Sequence, residues 1–143
     1  MYKVLLVLAL LLSTDANATT WKLVDDGAKS GRLLVDPDSA GIDKYDKNAK
    51  GDGTRVHAIM RFVNTNGELL FVGVIDAGEC IAQQGGTLVN IFEDNSSKTY
   101  FWSDSGERLY DSEGRWLCGH LLDTLETMIK QEPKSKSAPK IYM

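Results

Sequence analysis

Residues 54–77, TRVHAIMRFVNTNGELLFVGVIDA, decide the architecture. Val56, Ala58, Met60 and Phe62 alternate with Arg55, His57, Ile59 and Arg61. Successive side chains on a strand point to opposite faces, so the pattern predicts a strand over 54–63 with one apolar and one mostly polar face. Asn64, Thr65, Asn66 and Gly67 supply turn residues, and a second apolar run covers 69–77. Strand, short Asn/Gly turn and strand together are a hairpin signature. The second run is apolar on both faces, with Leu70, Val72 and Val74 against Leu69, Phe71 and Ile75. Such a strand belongs in the middle of a sheet. Gly73 inside it marks a bend or a close packing contact.

Outward from this hairpin the segments are shorter. Strands are expected at 21–24, at 32–36 ended by Pro37, and at 88–92, 99–102 and 107–110. Turn signals separate them at 25–27, 83–86, 104–106 and 111–114, and residues 42–53 read as a polar exposed loop. Near the C-terminus the period changes. Leu121, Leu122, Leu125, Met128 and Ile129 fall at helical spacing, which predicts an amphipathic helix from about Gly119 to Gln131 packed on a sheet face. The expected class is therefore α+β, mainly an antiparallel sheet or sandwich of short strands with one C-terminal amphipathic helix. Residues 133–143 read as a flexible tail.

The chain has 143 residues, of which 43% are hydrophobic and 25% charged, with a net charge of −4. That balance excludes a wholly disordered scaffold and gives no electrostatic reason to bind nucleic acid. One domain fits the length. Lys3 precedes nine apolar residues, Val4 to Leu12, and Ala16 and Ala18 stand before a cut after residue 18. This is the layout of a secretory signal peptide over 1–18, leaving a domain over 19–132. The apolar run is shorter than the roughly 20 residues a membrane span needs. No cysteine lies at the cut, so a lipid anchor is not expected. The expected location is the periplasm or the cell surface.

Export favours a disulfide between the only cysteines, Cys80 and Cys118. The rival reading is a pair of free thiols or a reactive Cys118 with its lowered pKa supplied by His120. Asp46, Asn48 and Lys50 imitate the start of a calcium loop, but Lys50 and His57 occupy positions where oxygen ligands are required. His57 and His120 are the only histidines, too few for a zinc site of ordinary spacing. No G-x-S-x-G and no phosphate-cradling glycine loop is present. The sequence thus points to no catalytic residue, no metal and no cofactor. Tyr100 and Trp102 share one face of their strand, either as a binding surface or as core.

Several features recur together. Trp21 follows the leader, and a strand reaches Val35, Asp36, Pro37, Asp38 and Ser39, with Ile42 soon after. Val74, Ile75 and Asp76 lead to Cys80. A Ser-Gly turn, a late tryptophan, a helix and a second cysteine follow. Over about residues 21–130 this arrangement resembles the surface-adhesin protein E family of Gram-negative bacteria. The resemblance implies a small exported sheet domain with a C-terminal helix and a structural cystine, which in some members adheres to host matrix or plasma proteins. In that family the second cysteine tends to close the helix region, whereas Cys118 stands before the helix expected here. The functional expectation is an exported, non-catalytic binding protein that contacts a host or envelope protein. The alternatives are a periplasmic enzyme inhibitor or accessory protein acting through the loop 43–53, and a small hydrolase in which a carboxylate meets His57 or His120.

Overall fold

The computed structural model describes residues 19–27, 30–44 and 53–131. The leader, the calcium-like residues 46–50 and the tail 133–143 lie outside the described residues. Seven strands form one antiparallel sheet: β1 Lys22–Asp26, β2 Arg32–Val35, β3 Gly41–Lys44, β4 Thr54–Asn64, β5 Gly67–Asp76, β6 Gly85–Phe92 and β7 Ser97–Ser103. The helices are α1 Ala77–Gln83 and α2 Leu109–Gln131. The strand order is β1-β2-β4-β5-β6-β7, with β3 paired to β4 beyond β2. This is the α+β arrangement of an antiparallel sheet and a C-terminal helix.

The β4–β5 hairpin forms where the alternation predicts it. Asn64 pairs with Gly67 around Thr65 and Asn66, and the Asn64 side chain accepts the Asn66 N–H at 2.8 Å. Gly67 has φ +135°, a conformation that side chains rarely adopt. Both β2 and β3 run against the same edge of β4. The pairing steps by three residues between them, the length of the 3-10 turn Pro37–Ser39. The start of the expected polar loop is therefore a strand, because Gly41–Lys44 pairs with Thr54–His57. The 3-10 insertion carries the chain past Pro37, which cannot donate to the ladder.

Val56, Ala58 and Met60 from β4, Ile75 from β5 and Leu88 from β6 face one way and are fully buried. Leu117 and Leu121 of α2 cover them. This face is the core, and the first half of α2, to Leu121, lies across it. The stripe expected to pack there is corrected: beyond Leu121, the residues Leu122, Leu125, Met128 and Ile129 are exposed.

The long helix begins ten residues before the position its apolar periodicity suggests, so the strand expected at 107–110 and the turn at 111–114 are corrected. Two contacts explain the error. Asp111 accepts the N–H of Arg108, the residue before the helix, at 3.0 Å, and the N–H of Ser103 at 2.8 Å. That is the returning half of a capping box. Gly114, which reads as a turn, lies inside the helix against the Trp102 indole; a Cβ there would stand 2.2 Å from its Cδ2. Cys118 consequently lies within α2, not before it.

Helix α1 stands at the end of the apolar run 69–77, where the sequence shows no helical period. Asp76 caps it, its carboxylate accepting the Glu79 N–H at 2.9 Å. Cys80 of α1 is disulfide-bonded to Cys118 of α2 with a Cα–Cα distance of 5.6 Å, so neither is a free thiol. The bond closes a 38-residue separation, a loop for which chain entropy gives roughly 4 kcal/mol. Among the described residues no helix is long and apolar enough to cross a membrane.

Candidate functional site

The central strands position an unusual pair. Gly73 of β5 pairs with Asn90 of β6, and both face α2. The missing side chain at Gly73 leaves room for Glu113 of the helix; a Cβ there would stand 2.6 Å from Glu113 Oε1. With its amide oriented to donate, Asn90 places its nitrogen 2.8 Å from Glu113 Oε1 and 3.2 Å from Oε2. Glu113 is 1% exposed. Burial pushes its carboxyl up to about 8, against which the Asn90 hydrogen bond works only partly. Among the described residues, no lysine, arginine or histidine forms an ion pair with it.

Glu113 and Asn90 line a cavity of about 260 Å³ between sheet and helix. Its walls are apolar. Leu33, Phe62 and Leu109 contribute from one region, and Leu69, Phe71 and Phe92 from another. The Phe71 and Phe92 rings are 5.9 Å apart and tilted, while Tyr100 and Tyr110 stack at 4.9 Å to complete the lining. Cations flank that tyrosine pair: Lys98 Nζ is 5.2 Å from the Tyr100 ring centre and the Arg108 guanidinium 4.5 Å from that of Tyr110. At Leu69 and Phe92 the cavity adjoins a shallow groove that also carries Glu68, Glu93 and Asp94.

The residues singled out in the sequence separate. Tyr100 lines the cavity. Trp102, on the same strand face, is 3% exposed beneath Gly114 and offers no free surface. The exposed aromatic of β7 is Phe101, at 74%. His57 is hydrogen-bonded to Asp43 across the β3–β4 ladder, and neither lines the Glu113 cavity. His120 stacks on Trp116 at 5.5 Å and borders a second groove, beside Leu121, Leu125 and Met128, in which no carboxylate lies among the described residues. Among the described residues, no group of three or more histidines, cysteines or acids is placed to hold a metal. Of the loop 43–53, only residues 43, 44 and 53 are described.

Sequence reasoning missed Glu113 and Asn90. One signal for Asn90 was available: it stands between Leu88 and Phe92 on the inward face of β6. No protein-family model matches the chain, and no curated protein or solved structure matches it.

Proposed function

We propose that the chain is an exported, non-catalytic binding domain whose site is the cavity between α2 and the sheet. A small, largely apolar ligand occupies it, with one polar group against Glu113 and Asn90. The observation that carries this reading is the preformed cavity itself: apolar walls and two convergent polar side chains on its inner surface are the ordinary makeup of a ligand site. Its volume lies just below the roughly 300–1,000 Å³ of drug-sized sites, which favours a small occupant. Among the described residues no histidine, serine or cysteine lines it, which supports a binding role over acyl transfer by the usual nucleophile and base pair. The Cys80–Cys118 disulfide supports export. A fragment screen by ligand-observed NMR tests the site. Binders should be lost when Leu69, 46% exposed at the rim, is changed to Trp. Binders that ignore Leu69→Trp would move the site elsewhere.

Contact with a host or envelope protein is the second reading. The exposure of Phe101 on β7, with Ile91 on the outer face of the adjacent β6, favours it. Capture of matrix or envelope proteins by the immobilised chain should then fail for Phe101→Glu and survive Leu69→Trp.

A further inference from the structure

Among the described residues Glu113 has no cationic partner, and it is set against a cavity lined with aromatic rings. Buried charges in proteins are paired, and a lone buried acid destabilises the fold that holds it. Glutamine would satisfy Asn90 and fill the same space without that cost. What glutamine cannot supply is a negative charge for something that arrives from outside.

The surroundings define that something. Phe62, Phe71, Phe92, Tyr100 and Tyr110 line the cavity, and the faces of aromatic rings attract cations. The groove that adjoins at Leu69 and Phe92 carries three carboxylates, Glu68, Glu93 and Asp94. Glu68 is paired with Arg61 and Asp94 accepts from Ser96, while Glu93 is exposed on the turn. A groove lined mainly with one sign of charge concentrates ligands of the other. The positive groups, Lys98 and Arg108, stand at the tyrosine pair and do not line the cavity.

We propose that the cavity takes a small primary or secondary ammonium carried on an apolar or aromatic body, with the charged nitrogen seated against the Glu113 carboxylate. This rests on the reading of the cavity as a ligand site. The proton balance is simple. Free Glu113 holds a proton near neutral pH and releases it to the buffer as the ammonium, which keeps its own, takes its place.

The groups facing Glu113 from each packed element leave it as the titrating group. β5 presents Gly73 and β6 presents Asn90. β2 and β4 present the uncharged Leu33, Val35, Val56, Ala58 and Met60. β7 presents Tyr100 and, across from Asn90 at the exposed edge, Lys98. On β1, Asp25 is taken up by the Ser112 hydroxyl, and on α2 itself Asp111 is turned to Ser103 and Arg108. In α1, Cys80 is tied into the disulfide.

The test is a titration of the oxidised protein, followed by protein NMR and calorimetry, with benzylamine, benzyl alcohol and benzoate. These share a ring and differ in head group. Benzylamine should bind at least tenfold more tightly than the alcohol at pH 7.5. Its affinity should fall roughly five- to tenfold at pH 6.5, because the ionised fraction of the site falls by that factor. Proton release per amine bound should be about three-quarters at pH 7.5 and approach one at pH 6.5. Glu113→Gln should remove both the preference and the pH dependence. If the alcohol or benzoate binds as well as the amine, the ammonium proposal is overturned while the cavity stands as a ligand site. If none of the three perturbs the cavity residues, both readings fall.

Discussion

Asp111 and Glu113 stand two residues apart on one helix, and both are almost completely buried, at 0% and 1% exposure. Their surroundings are opposite. Burial raises the Asp111 carboxyl, but the Arg108 side chain at 2.9 Å and the N–H groups of Ser103 and Arg108 outweigh it, and the carboxyl ends below its ordinary value. Among the described residues Glu113 receives only the Asn90 amide, and burial prevails. The difference separates two jobs for a buried acid. Asp111 fixes where the helix starts and ties it to β7. Glu113 holds nothing in place that a neutral side chain could not hold.

Removing the structural acid should have the largest effect. Asp111→Ala leaves the Ser103 and Arg108 N–H groups without their acceptor and should lower stability by about 3–4 kcal/mol, measured by urea unfolding at pH 7. Asp111→Asn should show a smaller loss that shrinks in acid. Its sign follows from the lowered native carboxyl: the stabilisation is present above the unfolded value near 3.8 and is lost as pH falls through the native one.

Glu113→Gln should do the reverse. The native carboxyl titrates near 8 and the unfolded one near 4.5, so unfolding releases a proton between those values and wild-type stability falls as pH rises through that window. The slope is about 1.4 kcal/mol per pH unit where it is steepest, or on the order of 3 kcal/mol between pH 5 and pH 8. The glutamine variant should be flat over the same range. A wild-type curve that is also flat would remove the contrast between the two acids.

Asn90→Leu is the next smaller perturbation. It takes away the only hydrogen bond in the pair and should cost about 1–2 kcal/mol. The Glu113 carboxyl should move further up, visible as a later midpoint in carbon-detected NMR of the side chain.

The two acids also differ in how far the sequence reveals them. The β4–β5 hairpin is legible because Val56, Ala58 and Met60 alternate and Asn64 to Gly67 form a turn; backbone periodicity and local chemistry agree. The helical period of the later part of α2, Leu121 to Ile129, is legible for the same reason, but its packing is not: Leu121 is buried, whereas Leu122, Leu125, Met128 and Ile129 are exposed. The first turns of α2 are not legible. Ser112, Glu113 and Gly114 read as a turn because their burial depends on partners far away in the chain: Asp25 for Ser112, Asn90 for Glu113 and Trp102 for Gly114. A glutamate reads as solvated until the strand opposite it is known to carry a glycine. Asp76 and Glu79 carried a local capping signal for α1, and the seven-residue helix was too short for periodicity to register.

That glycine provides the finest test. In Gly73→Ala the new methyl would meet Glu113 Oε1 at 2.6 Å, the far end of a side chain. The carboxyl can swing away, and alanine in a strand loses less conformational entropy than glycine on folding, by about 0.5–1 kcal/mol. The two effects oppose, so at pH 5, where Glu113 is neutral in the folded state, net stability should change by less than about 1 kcal/mol. The displaced carboxyl leaves Asn90 and moves toward the cavity, and its titration should shift while that of Asp111 stays fixed. If both acids shift together, they respond to the helix as a whole and the local account of their difference fails. If only Glu113 shifts, its environment is set by the notch at Gly73, and the helix is held by other contacts.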